Sequence, residues 1–435
     1  MSRFSVLYLL IFSFIPFRNY GQSGDSKALL DSRKSVHIGT TTTIKSELTG
    51  LPLVEPHVSA HPYNNNHLLV AAMVVTDINN PYQSCRLSSF VSLDGGTIWK
   101  ETVHDMWGYD PWTAILSNGE TVMSWLGTPQ SFKHQFPLQI FNSADGGITW
   151  EKDFQTIIGD GHGHDGTKVV AQGNEFYCTT VRFNNAMGAD VVLLRKEGSG
   201  SFEEVAKIDG KGKRLNFCEP VILTDGTVVV PASDFQKKIW VQLYNHTTGN
   251  LSDPYNFSLQ PGGAKGYMRL VADVNPNSNF KDRVYFVRAL GAGSNYSGIW
   301  MNFSADGGKV WSKDKRVDLF EHSVGSKAMV PSAAVNKNGV IGISWVDSQN
   351  ESNQKGIDVY FTVSLDGGLS FQRPVRVTEQ STDPKTKGNG DVANKFPGGG
   401  HYLGITTKVD GSFQLVWSDS RSGIFELQTC NITVE

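Results

Sequence analysis

The chain reads as a succession of apolar strand pairs, each opening on a short polar signature and each followed by a tight turn. Seven openings stand in order: Glu55-Pro56-His57, Asp110-Pro111-Trp112, His164-Asp165-Gly166, Glu219-Pro220-Val221, Tyr267-Met268-Arg269, Val330-Pro331-Ser332 and His401-Tyr402-Leu403. The turns repeat too. Four octapeptides match closely, Ser92 to Trp99, Ser143 to Trp150, Ser304 to Trp311 and Ser364 to Phe371, each around an Asp-Gly-Gly core. Their aspartates, Asp94, Asp145, Asp306 and Asp366, are 51, 161 and 60 residues apart. The long middle step holds two degenerate copies, Arg195 to Phe202 and Asn245 to Ser252, which bring every step to between 50 and 60. Such a period predicts an array of supersecondary units.

An Asp-Gly-Gly core between strand-like residues makes a hairpin turn, and the Ser and Asp side chains can bond the turn's own backbone. The four aspartates are therefore read as turn residues, because one catalytic site does not need the same group in every repeat. The last set carries only three strands, at 401–408, 412–418 and 424–434. The β-branched stretch from Ser35 to Ser46 is expected to supply its fourth strand and close a ring. The expectation is an all-β propeller of four-stranded antiparallel blades, seven in preference to six, over residues 24–435 as one domain.

The octapeptide is the Asp-box, or BNR, repeat, and from residue 50 to 435 the chain resembles the sialidase-like β-propeller superfamily. The resemblance implies blades around a central axis, with the box between the third and fourth strands. It implies function less strongly, since the same box occurs on sialidases, other glycosidases, lectins and assembly factors. The closing segment, Gly400 to Ile405 with Trp417 to Gly423, resembles secreted bacterial-type members.

Composition narrows the partners. The 435 residues include 39 Lys and Arg against 42 Asp and Glu, a net charge of −3, which argues against nucleic acid or a polybasic membrane contact. Arg3, an apolar run from Val6 to Pro16 and the small polar stretch Gly21 to Gly24 read as a secretory signal peptide over residues 1–23. The run is too short for a stable membrane span. A secreted or periplasmic monomer is expected. Four cysteines, Cys85, Cys178, Cys218 and Cys430, form no CxxC, and disulfides and isolated thiols both stay open.

The openings and the loops after the second strands share the face on which a site is expected. Catalytic candidates there are Asp110, Glu219, Tyr402 and His164. Candidates for holding a glycan, expected to be acidic, are Arg182, Arg269, Arg288, Arg421, Trp112 and His401, because guanidinium forks bind carboxylates and aromatic faces suit sugars. Two histidines and an aspartate within Gly161 to Asp165 could ligate a metal, but no second cluster matches them, so neither metal nor cofactor is expected. The segment from Thr378 to Gly400 overhangs this face and reads as a lid or a connector.

By resemblance, a sialidase needs a Tyr nucleophile, a Glu that activates it and an Asp acid, which maps onto Tyr402, Glu219 and Asp110. That family's first inner strand usually carries an Arg gripping the substrate carboxylate, and here Leu53-Val54-Glu55-Pro56 has none. Three functions stay open: an exo-glycosidase acting on acidic sugars, a uronate lyase using His164, Tyr402 and Arg269, and a non-catalytic carbohydrate- or protein-binding propeller.

Overall fold

Alternation of buried apolar and turn-forming residues folds almost the whole chain into short antiparallel strands. A computed structural model describes residues 34–127, 136–156, 163–183, 188–216, 219–234, 238–258, 268–289, 298–319, 328–348 and 356–435. Among these the strands form seven blades. The first is Leu53–Ala60, Leu68–Val75, Cys85–Ser92 and the first half of the long strand Lys100–Ile115; the second half of that strand opens the next blade. The remaining inner strands are His164–Gln172, Val221–Ile222, Met268–Ala272, Ala328–Val335 and Gly404–Thr407. The expected signal peptide lies outside the described residues.

The last blade has three strands of its own, Gly404–Thr407, Phe413–Asp419 and Glu426–Val434. Its outer edge is covered by Val36–Ile38 and Thr42–Ile44, both antiparallel to Glu426–Val434. The β-branched N-terminal stretch thus pairs with the end of the chain, as its composition indicated.

The octapeptides form the turns between third and fourth strands. The Ser143 hydroxyl donates to Asp145 Oδ1 (2.7 Å) and accepts the Gly147 N–H (2.8 Å), while Oδ1 also accepts the Ile148 and Thr149 N–H groups. Ser92, Ser304 and Ser364 repeat the pattern. The indole N–H of Trp99 and Trp311 closes the turn onto the Gly96 and Gly308 carbonyls. The second apolar face of each blade packs on its neighbour. Trp112, Val122 and Ile140 meet Val169, Phe176 and Val192 between the second and third blades, and Phe361 and Val363 meet Phe413 and Leu415 between the sixth and seventh. Burying one such side chain fully contributes about 1.5–3 kcal/mol.

Trp345 and Trp417, both buried, donate their indole N–H to Asp347 and Asp419, so the repeated Trp-x-Asp pairs are structural. The thiols of Cys85, Cys178 and Cys430 are free and buried; Cys218 lies outside the described residues.

The segment from Thr378 to Gly400 is neither a lid nor a loose connector. Its short helix Val392–Lys395 buries Val392 and Ala393, with Phe396 beyond, against Val54, Met73, Trp125 and Phe425. Asn389 accepts the Phe425 N–H (2.7 Å) and donates to the Pro384 carbonyl (2.8 Å). The apolar residues interspersed among its glycines and lysines make it a wedge between the first, second and last blades.

Candidate active site

The inner strands of four blades share an irregularity. In the first, second, third and sixth, one extra residue bulges at the opening, between Val54 and His57, Tyr109 and Trp112, Asp165 and Lys168, and Met329 and Ser332. The bulged residue has positive φ each time: Glu55 (58°), Asp110 (53°), Gly166 (60°) and Val330 (55°). Glycine takes that conformation freely, whereas other residues pay about 1–2 kcal/mol for it. Two of the four bulges carry an acid, and both acids reach the same place.

Past each bulge the chain turns its next side chain onto the axis. His57 stacks on Trp112 with ring centroids 3.8 Å apart, and Trp112 meets the Tyr402 ring edge-on at 5.3 Å. The Lys168 ammonium lies 4.0 Å from the Trp112 centroid and 3.9 Å from that of Tyr402, and donates to the Thr167 carbonyl. The Arg269 guanidinium lies 4.5 Å from the Trp112 ring, 3.4 Å from Glu219 Oε2, and donates to the Leu403 carbonyl at 3.4 Å. The fifth blade thus reaches across to the second, and six blades meet at one point.

Above this floor lie the acids. The Glu55 and Asp110 carboxyls are hydrogen-bonded to each other. Glu55, 1% exposed, also accepts from the His401 ring Nδ1 (2.9 Å) and the His401 backbone N–H (3.0 Å). Burial pushes Asp110 up to about 8, and the neighbouring Glu55 adds to it. Burial acts on Glu55 in the same sense, but the His401 charge and hydrogen bonds outweigh it and hold that carboxyl below its ordinary value. Burial alone would lower His401; Glu55 reverses this and raises it to about 9. Burial lowers Lys168 to about 8, with Asp110 opposing, and it drives the Tyr402 phenol well above its ordinary value. His57 is kept neutral by burial and by the nearby Arg269 and Lys168 charges, and its Nδ1 accepts the Thr113 N–H at 3.1 Å.

Of the residues singled out in the sequence, Asp110, Trp112, Glu219, Arg269, His401 and Tyr402 come together. The others engage partners within their own blades or segments. Arg182 pairs with Glu204 at 2.6 Å, Arg288 with Asp314 at 2.6 Å and Arg421 with Asp419 at 2.8 Å. The ring of His164 is buried in the third blade with Nδ1 3.4 Å from the Thr180 hydroxyl. Arg269 hands its guanidinium to Glu219, which places an ion pair where a Glu-activated tyrosine was expected. Among the described residues no three His, Cys, Asp or Glu side chains group as metal ligands, and His162 lies outside them.

Lys168 and the contacts of Glu55 are not marked by any motif in the sequence. Lys168 looks like an ordinary strand lysine within Thr167-Lys168-Val169. Its signal was the register of the openings: it stands two residues after Gly166, as His57 stands after Glu55 and Trp112 after Asp110.

No family model matches the chain, and no curated protein matches it in sequence. Solved structures are similar in fold. The GH93 α-L-arabinofuranosidase of Fusarium graminearum in complex with arabinobiose shares 12% identity and a TM-score of 0.51, covering 91% of this chain and 98% of that one. A protein of unknown function from Dyadobacter fermentans shares 11% identity and a TM-score of 0.50, covering 92% of this chain and 99% of that one. At these identities the likeness is one of fold, and the fold is the β-propeller.

Proposed function

We propose that this protein is a secreted glycoside hydrolase of sialidase-like architecture, in which Asp110 is the general acid that protonates the departing glycosidic oxygen. One arrangement carries this reading: where the side chains of the blades converge, Asp110 lies against Glu55, which the His401 ring and backbone hold by hydrogen bonds, so that burial and Glu55 push Asp110 up to about 8 while Glu55 stays below its ordinary value. Carboxyl groups forced apart in this way are what acid-assisted cleavage of a glycosidic bond requires.

In this reading Glu219 is the second carboxylate, held by Arg269, and supports the positive charge that develops on the sugar ring. Tyr402 stays a neutral phenol and serves as a wall and hydrogen-bonding group for the sugar rather than as the nucleophile. Arg269 and Lys168 are the cations at the floor, which supports an acidic sugar as the finer part of the proposal.

The test is mass spectrometry of products from the purified protein with sialylated, uronate-containing and neutral glycans. The structurally similar arabinofuranosidase binds arabinobiose, so arabino-oligosaccharides belong in the panel. Released sugar with one water added, lost in Asp110→Asn, supports the proposal. Unsaturated products without added water would point to a lyase. No product across the panel would leave a glycan-binding propeller as the better reading.

A further inference from the structure

We propose that Glu55 is the positioning residue of this site: it fixes the Asp110 carboxyl at the axis and, with His401 as its cationic partner, leaves the proton shared by the two acids on Asp110. This rests on Asp110 as the general acid.

Two carboxyls in contact share one proton, because both cannot ionise side by side, and their surroundings decide which keeps it. Here the two sides are unequal. Glu55 accepts two hydrogen bonds from His401, one from the ring and one from the backbone. Both favour the ionised form. Asp110 faces Glu55 from the first blade, Lys168 and Asp165 from the third, and His401 and Tyr402 from the last segment; Tyr82 lies within electrostatic range as well. Lys168 favours ionisation of Asp110, while Glu55 and Asp165 oppose it.

The backbone is arranged around Glu55 with unusual care. Its φ of 58° is unfavourable for a glutamate. Its N–H donates to the Gly399 carbonyl at 2.8 Å. Gly400, at φ 131°, leaves the space that the Glu55 side chain occupies. Strain of this kind persists only where the surroundings over-determine it. Glu55 is almost wholly enclosed, so it acts through Asp110 and not on a sugar.

The proton balance follows. Asp110 gives its proton to the glycosidic oxygen as the C–O bond breaks, and becomes a carboxylate beside ionised Glu55. That adjacent charge makes Asp110 a strong acceptor for the proton released when water adds to the sugar, so the starting state is restored.

The test reads carboxyl protonation in the full chain by infrared difference spectroscopy and carboxyl-detected NMR, without substrate. The parent protein should show a carboxyl that keeps its proton to about pH 8, absent in Asp110→Asn. Glu55→Gln, which keeps the shape and removes the charge, should move this titration down by about 1 pH unit or more. Glu55→Asp, which keeps the charge, should move it less; a merely structural role would treat the two alike. His401→Gln should spread the proton over both acids, so that in Asp110→Asn with His401→Gln the Glu55 carboxyl titrates at higher pH than in Asp110→Asn alone. The proposal is overturned if Glu55→Gln leaves the Asp110 titration in place, or if His401→Gln leaves the proton wholly on Asp110. Shifted titrations without any hydrolysis of glycans would uphold the positioning role and sink the hydrolase reading.

Discussion

A β-carbon built on Gly400 would come within 2.4 Å of the Glu55 Cγ, so the last segment of the chain and the first blade fit together only if residue 400 is glycine. The wedge that ends at Gly400 therefore sets the site as well as the seam. Gly400→Ala adds this clash to an unfavourable φ of 131°, whereas Gly423→Ala meets only an unfavourable φ of 99° in open space. Gly423→Ala should cost about 1 kcal/mol, and Gly400→Ala about 1–3 kcal/mol more. Urea unfolding midpoints of the two variants check this; equal losses would mean that Glu55 moves aside freely.

Asp110→Asn mimics the protonated acid in shape and charge but has no proton to give. At pH 4 or below, where Asp110 is protonated in the folded and the unfolded chain alike, the fold should keep its melting temperature within about 2 °C, since the substitution then replaces one neutral group by another. Hydrolysis should fall by about 100- to 10,000-fold, the usual contribution of a general acid. In the parent protein activity should decline as pH rises through about 8, where Asp110 loses its proton. An alkaline limb that survives in Asp110→Asn would assign the acid elsewhere.

How far the sequence foretold this site is clearest at the openings. The polar signatures located the inner strands because a strand start facing the axis must be polar while the rest of the strand is packed on both faces. An acid before a proline at a strand start is also what caps a neighbouring backbone amide, and Glu55 does accept the His401 N–H. What the spacing could not convey is the bulge. One extra residue turns the side chains that follow onto the axis, and it turned Lys168 inward together with His57 and Trp112. Arg182, Arg288 and Arg421 had the right chemistry for a sugar carboxylate, but the partners of Arg182 and Arg288 stand on another strand or loop of the same blade, 22 and 26 residues away, where a motif does not reach, and Arg421 folds back on Asp419 two residues before it.

Lys196 joins the second and third blades. It is 3% exposed, and its ammonium lies 2.9 Å from Asp153 and 3.2 Å from Glu120. Lys196→Met would strand two largely buried carboxylates, at about 3–5 kcal/mol. Adding Asp153→Asn and Glu120→Gln should recover most of that loss, because the charges to be matched are then gone. Denaturant titrations of the single and triple variants would decide; a silent Lys196→Met would mean that water already satisfies both acids.

The turn aspartates should matter to stability and not to chemistry. Asp145 is held down to about 2; burial acts to raise it, and the hydrogen bonds from Thr149, Ser143 and Ile148 together outweigh that. A carboxylate depressed in the folded state stabilises above its ordinary value near 4, and this is lost as pH falls towards 2. Asp145→Ala should therefore lower the melting temperature at pH 7 more than at pH 2.5, with hydrolysis unchanged at pH 7. A loss of turnover without a loss of stability would return this residue to the list of catalytic candidates.

Stability should also fall as pH rises through neutrality, and the site dictates the sign. His401 has a folded value of about 9, above its ordinary 6.5, so its contribution is complete below 6.5 and is lost as pH rises through 9. Asp110 binds its proton more tightly in the folded chain than in the unfolded one, so stability is lost between about 4 and 8, where the carboxyl is ionised only in the unfolded chain. Lys168 runs the other way: its folded value of about 8 lies below the ordinary 10.5, so stability returns only as pH climbs between those values. The melting temperature should decline from pH 5 to about 8 or 9 and then level off. His401→Gln should flatten the part of the decline above pH 6.5, and Asp110→Asn the part below pH 8. A decline that neither substitution alters would place its origin outside the axis cluster and weaken the case that Glu55, His401 and Asp110 titrate as one unit.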